Sequence, residues 1–338
     1  MNTITLESLL NLNTHEIELE NGSEIELACD MVDSALDKNA LALAVETYSL
    51  ALDVTSIQME GSFNEIATEN SKEVLQKMGK TIQEWIKKVI AFFKKVWANI
   101  KALFKKIFKG KSAKRAVQEN KENVAANLEK MKDNTYEPET FKFKTYEPKT
   151  YEPTTIELNT AQAIKVTETI NPNFIDKILD ISIPEMDNIK ANPDALKLFQ
   201  EVVAEVEAET HEEYVKAFDA AKNTSVEEIT LSNVEKAADN VDTLESKMPK
   251  ILAALEKIER EIQWHTEKIC NLSDPDFLSK HYSFHGDTKE SLIEKYKFEI
   301  MLLKERADAI RRAMNDSSSF MGLNGRYLDG LIKLYTRR

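Results

Sequence analysis

Apolar and polar residues alternate with a helical period through much of the chain. Between residues 80 and 109, apolar side chains recur at steps of three, four and seven, which places them on one face of a helix. They are Ile82, Ile86, Val89, Phe93, Val96, Ile100, Phe104 and Ile107. The pattern predicts one amphipathic helix over 80–109, and Gly110 follows it where a helix C′ residue would lie.

Helical periodicity continues in a polar stretch at 113–132 and returns in six blocks from Pro172 onwards. The six blocks predict helices over about 172–181, 193–222, 225–238, 241–270, 287–315 and 321–336. Asn171-Pro172 and Asn192-Pro193 each place a capping side chain before a proline, which suits a helix start. The apolar stripes of 241–270 and 287–315 predict an antiparallel helical hairpin.

The motif TYEP occurs three times between these helical parts, at 135–138, 145–148 and 150–153. Residues that precede proline favour extended conformations, so the repeat predicts an extended linker over 134–158. A short strand is expected within it at 141–144. The linker is interpreted as a spacer, with a docking motif for a partner protein as the alternative.

Composition supports the helical interpretation, because the 338 residues include only 8 Gly and 8 Pro. We therefore predict an all-α fold with four regions. These are an acidic, weakly ordered leader at 1–60, a basic amphipathic helical region at 61–133, the TYEP-repeat linker at 134–158 and an antiparallel helical bundle domain at 159–338.

Charge is distributed in blocks of opposite sign. Residues 1–60 hold 12 acidic side chains against Lys38, a net charge of −11, whereas residues 80–115 hold 12 basic side chains against Glu84, a net charge of +11. The whole chain has a net charge of −13, so removal of the leader, with its net charge of −11, leaves a chain with a net charge of −2. We interpret the leader as an electrostatic mask for the basic helix.

The polar face of the basic helix provides the candidate binding residues. Seven lysines and two tryptophans are predicted to contact a polyanion or a membrane: Lys87, Lys88, Lys94, Lys95, Lys101, Lys105, Lys106, Trp85 and Trp97. Three fates of this helix stay open: packing on its own bundle, lying on an anionic membrane, or contacting nucleic acid. Lysines act as point charges, so any DNA contact is expected to be nonspecific.

The order of leader and basic helix resembles the internal head proteins of large tailed bacteriophages. The resemblance rests on the leader ending at 56–61 and on the KK-apolar-FFKK run from Lys87 to Lys95. Such proteins carry an acidic propeptide that the prohead protease removes by cutting after a glutamate. The resemblance implies cleavage between Glu60 and Gly61, with Glu46 and Glu69 as fallback sites; Gln58 stands where the family has Ile or Leu.

The resemblance also implies a structural role inside the virion head. The expected partners are the prohead protease, packaged DNA, capsid or scaffold proteins and, as a further option, an anionic membrane surface. The expected location is the virion interior, with the host cytoplasm before assembly and after injection. The alternatives are a membrane-active protein that acts through helix 80–109 and an intracellular helical scaffold.

Enzymatic chemistry is not predicted. The sequence holds no Gly-rich phosphate loop, no GxSxG, no HExxH and no CxxC motif. His281, His285 and Asp287 come nearest to a metal-binding set, but Gly286 disfavours the helix that would bring them together, and loop polarity explains them. We therefore predict no catalytic residues, no metal and no cofactor.

Overall fold

The computed structural model describes residues 72–133, 140–146, 153–182, 194–272 and 289–333. The fold is all-α, as predicted, with one small β-hairpin. The helices are α1 (Lys72–Ile107), α2 (Ala113–Glu119), α3 (Lys121–Lys132), α4 (Thr160–Thr169), α5 (Phe174–Leu179), α6 (Ala195–Ala221), α7 (Leu231–Asn271) and α8 (Lys289–Ile332), and the strands are β1 (Phe141–Tyr146) and β2 (Pro153–Leu158). Among the described residues, no helix is both long and apolar enough to cross a bilayer.

Helix α8 lies at the centre of the bundle. None of its described side chains between 295 and 332 is exposed. Helices α1, α3, α4, α6 and α7 all pack against it. Each surrounding helix turns an apolar stripe inward, so one continuous core joins α1 to α7 and α8.

The predicted hairpin of two long helices corresponds to α7 and α8. These helices pack along one another, and His265 near the end of α7 lies beside Glu299 near the start of α8, 2.8 Å from Nδ1 to Oε2. That pairing of a late residue with an early one is the arrangement of an antiparallel hairpin.

Helices α7 and α8 are longer than the blocks predicted for them. Each runs without a break through a position where two blocks were expected, at 239–240 in α7 and at 316–320 in α8. In α8 the hydroxyl of Ser317 donates to the carbonyl of Ala313 at 2.7 Å. The serine hydroxyl thus has a hydrogen-bond acceptor within the helix, so a buried serine does not end α8.

Helix α4 is absent from the predicted blocks. It begins with a capping box in which Asn159 and Gln162 bond each other's backbone N–H groups at 2.9 and 3.0 Å. Helix α5 begins at Phe174, two residues after the proline that was expected at its first position.

Several helix ends are capped by side chains from other helices. The amide of Asn127 in α3 donates to the carbonyls of Leu331 and Lys333, both at 2.9 Å, where α8 ends. The carboxylate of Asp242 in α7 accepts from the N–H groups of Ala113 and Lys114 at the start of α2, at 2.7 and 3.0 Å. These bonds satisfy backbone groups that a helix leaves unpaired and fix the helices relative to one another.

The predicted linker is extended in its described parts, but it folds back on itself. Strands β1 and β2 pair antiparallel, with Phe141 opposite Leu158 and Tyr146 opposite Pro153. Proline is tolerated here because it is the first residue of a strand. Phe141 and Leu158 are buried, and the guanidinium of Arg326 lies 5.6 Å from the Phe141 ring centre, so the hairpin is anchored to α8.

Candidate functional site

The apolar face of α1 is buried in the bundle. All eight residues of the predicted stripe are at most 5% exposed, which confirms the predicted face. They pack against α7 and α8. Contact is so close at Gly79 that an added Cβ would lie 2.3 Å from the hydroxyl oxygen of Thr266 in α7. The helix is therefore docked on its own bundle along its length.

The lysines of α1 lie on the opposite side. We call the seven predicted contact lysines, Lys87, Lys88, Lys94, Lys95, Lys101, Lys105 and Lys106, the lysine ridge. Lys95 is half-buried and the other six are exposed. The ridge covers 19 helical steps, about 28 Å at 1.5 Å per residue.

The first half of the ridge is paired with carboxylates of α7. Lys94 Nζ lies 2.6 Å from Glu256 Oε1, and Lys87 Nζ lies 3.5 Å from Glu259 Oε1. The hydrogen bond from Lys94 is the main cause that lowers the pKa of Glu256. An open groove of about 500 Å³ runs between the two helices along these pairs. These two carboxylates were missed in the sequence, where Glu256 and Glu259 look like any solvated helix surface.

The second half of the ridge, Lys101, Lys105 and Lys106, has no carboxylate within salt-bridge distance among the described residues. Lys101 nevertheless lies near enough to Glu245 to attract its carboxylate. Lys101 Nζ lies over the ring of Trp97, 5.2 Å from its centre. Helix α1 ends just beyond, at Ile107, and the negative end of a helix dipole favours cations at this position.

Helix α1 ends at Ile107, two residues before the predicted end, and Lys109 rather than Gly110 takes the left-handed C′ position. Lys109 and Gly110 have φ values of 52° and 77°, and the Gly110 N–H donates to the Lys105 carbonyl at 3.1 Å. This backbone bond closes the helix by a Schellman-type turn, which needs a left-handed residue.

Trp85 and Trp97 are buried, although Lys101 Nζ lies over the outer side of the Trp97 ring. They are 3% and 8% exposed, so their rings belong to the apolar side of α1. While α1 is docked, these two side chains are not accessible to a polyanion or a membrane, which disagrees with the contact predicted for them. The physical reason is that an indole ring gains more from apolar burial than from a place among lysines.

The remaining predicted sites lie outside the described residues. This applies to Glu60 and Gly61, to the fallback sites Glu46 and Glu69, and to the His281–Asp287 loop. Within the described ranges, no group of three or more His, Cys, Asp or Glu side chains is placed to hold a metal ion. Cys270 is a free, half-buried thiol.

No family model, no curated protein and no solved structure matches this chain.

Proposed function

We propose that this protein is a structural component of the interior of a tailed-phage head, where the lysine ridge contacts packaged DNA without sequence specificity. The observation that carries the proposal is the separation of the two faces of α1. Six of the seven ridge lysines are exposed while the apolar face is buried. A phosphate backbone needs only the lysines, so DNA can bind while α1 stays docked on the bundle.

The acidic leader supplies the second part of the proposal. Its charge of −11 matches the +11 of residues 80–115, so it competes with DNA for the same lysines. Removal after Glu60 by a prohead protease would restrict DNA contact to the maturing head. This order of events prevents premature binding to host nucleic acid.

The experiment has two arms. Affinity for a duplex of mixed sequence is measured for the full chain and for a chain that begins at Gly61, at several salt concentrations. We expect the shorter chain to bind at least about tenfold more tightly, with an affinity that falls steeply with salt. Equal affinities of the two chains would remove the masking role of the leader.

The second arm concerns the particle. Mass spectrometry of the protein from mature virions should find an N-terminus at Gly61, or near 46–70 if a fallback site is used. An intact Met1 in those particles would contradict processing.

Membrane activity is the alternative function, and the packing of α1 makes it costly. Insertion into a bilayer needs the apolar face, which the bundle buries. Burial of each large apolar side chain in such a face stabilises the bundle by about 1.5–3 kcal/mol. Insertion in a bilayer must replace this stabilisation for every such side chain of the helix. Leakage of anionic vesicles would support this alternative, and intact vesicles would argue against it.

A further inference from the structure

The exposed side of α6 combines apolar and acidic residues. Leu198 and Val202 are 46% and 48% exposed, which places them among the large apolar side chains most open to solvent in the described chain. Glu201, Glu205 and Glu212 share this side, because steps of three, four and seven residues return to one face of a helix. We call these five residues the α6 face. Lys197 and Lys216 of the same helix pair with Glu201 and Glu212 at 3.9 and 2.8 Å, and the cations of a partner would replace them. Such an apolar–acidic surface suits a partner that offers cations and small apolar groups.

The same chain carries a surface of that description. Helix α1 holds ten lysines against two glutamates, a net charge of +8, and α6 holds seven acidic residues against two lysines, a net charge of −5. Between the ridge lysines lie the exposed Ala91, Ala98 and Ala102, whose small side chains leave room for Leu198 and Val202 of another molecule. The two surfaces are complementary in charge and in bulk.

The two surfaces cannot meet within one molecule. Both helices pack on α8, but α1 has its main contacts with α7 and α8, whereas α6 has its own with α4, α5 and α8. The outward faces of α1 and α6 therefore belong to different parts of the bundle surface. A contact between them requires two copies of the chain.

We propose that copies of this protein associate head to tail, with the α6 face of one copy on the lysine ridge of the next. Because the two surfaces differ, the contact is heterologous, and each copy keeps one free surface of each kind for a further neighbour. The products are open chains of copies, or rings where the rotation between copies closes. DNA competes with this contact, because both use the lysine ridge.

The test is sedimentation velocity at low salt, on the full chain and on the chain from Gly61, with variants that neutralise one surface each. The α6 variant is E201Q/E205Q/E212Q and the ridge variant is K101Q/K105Q/K106Q. The matched control is E122Q/E228Q/E267Q, which removes three exposed acidic charges outside α6. Circular dichroism checks that each variant keeps the helical content of the unaltered protein.

We expect the unaltered protein and the control to form species larger than dimers, which shrink as salt is raised. Each surface variant alone should associate at least about tenfold more weakly. An equimolar mixture of the two variants should stop at dimers, because only one pair of intact surfaces remains in it. A variant L198S/V202S should weaken association without any change of charge.

Two results would overturn the proposal: an α6 variant that associates like the control, or unaltered chains of both lengths that stay monomeric at low salt. DNA affinity separates this outcome from the proposed function. At protein concentrations too low for self-association, the α6 variant should keep the DNA affinity of the control, so a failure of self-association leaves the DNA contact standing.

Discussion

Three charged side chains, Lys304, Asp308 and Arg311, form a buried cluster in the middle of α8. They are 2%, 1% and 0% exposed. Asp308 lies 2.9 Å from Lys304 Nζ and 3.2 Å from Arg311 Nε. Burial alone would raise the pKa of Asp308, but the attraction of the neighbouring cations outweighs it and keeps the pKa below its usual range.

Replacing Asp308 by alanine should destabilise the fold by about 3–5 kcal/mol, because two buried cations lose their shared anion. Urea unfolding at neutral pH measures the loss, and Glu212→Gln, at an exposed ion pair, should leave the unfolding midpoint unchanged. An Asp308→Ala midpoint equal to that of the control would contradict the cluster's role.

The pH dependence of this cluster has a definite sign. A carboxyl group whose pKa is lower in the folded state stabilises fully above its unfolded pKa, near 3.9. The stability difference between the unaltered protein and Asp308→Asn should therefore be constant from about pH 7 to pH 5 and shrink below about pH 4. Urea unfolding at pH 7, 5 and 3 measures it, and a difference that grows on acidification would be the contrary result.

Gly79 is the residue on which the approach of α1 to α7 depends. An added Cβ would lie 2.3 Å from Thr266 Oγ1, so Gly79→Ala should cost about 1–3 kcal/mol through overpacking. Gly322→Ala is the control, since open space surrounds that position within α8, and it should be neutral or stabilising by up to about 1 kcal/mol. The double variant Gly79→Ala/Thr266→Ala should recover part of the stability lost in Gly79→Ala, as measured by thermal unfolding. Without any recovery, contact with Thr266 would not be the cause of the loss.

At the scale of elements, the sequence predicts helices better than it predicts their ends. The stripe of α1 is readable because its apolar residues are large and regularly spaced. Helix α4 was missed because only two of its six buried residues, Ile164 and Val166, are large and apolar, although the Asn159–Gln162 capping box is a usable signal. The burial of Lys304, Asp308 and Arg311 in α8 could not be predicted, because opposite charges spaced by three and four residues usually mark an exposed helix face.

The cap on α2 gives a prediction at this scale. Asp242→Ala removes the acceptor of two N–H groups at the start of α2, and should cost about 1–2 kcal/mol. Asp239→Ala, one turn earlier on α7, loses only a surface contact with Lys114 and should not shift the unfolding midpoint. Equal midpoints for the two variants would mean that the cap contributes no stability.

The docking of α1 can be followed through its tryptophans. The chain has three Trp, of which Trp264 is 50% exposed and the other two are buried. In variants that keep a single tryptophan, acrylamide should quench Trp264 several-fold more strongly than Trp85 or Trp97. Anionic vesicles should leave the emission of Trp85 and Trp97 unchanged, and a change there would indicate that α1 leaves the bundle for the membrane.

For the whole molecule, the distribution of charge suggests a function, whereas a helical bundle alone does not. The opposite signs of the leader and of residues 80–115 are evident in the sequence. The carboxylates of α7 that pair with Lys87 and Lys94 are not, because only the packing of α1 on α7 brings them together. This packing leaves Lys101, Lys105 and Lys106 as the part of the ridge best suited to bind phosphate.

The salt dependence of DNA affinity shows whether the lysine ridge of the docked α1 binds DNA. One duplex is titrated at several salt concentrations into three proteins that begin at Gly61. They are the unaltered chain, the ridge variant K101Q/K105Q/K106Q, and the control K121Q/K197Q/K222Q, which has the same change of charge. The ridge variant should lose about one unit of the logarithmic salt slope per phosphate contact removed, up to about three, while the control keeps the slope of the unaltered protein. Equal slopes for the ridge variant and the control would contradict the account.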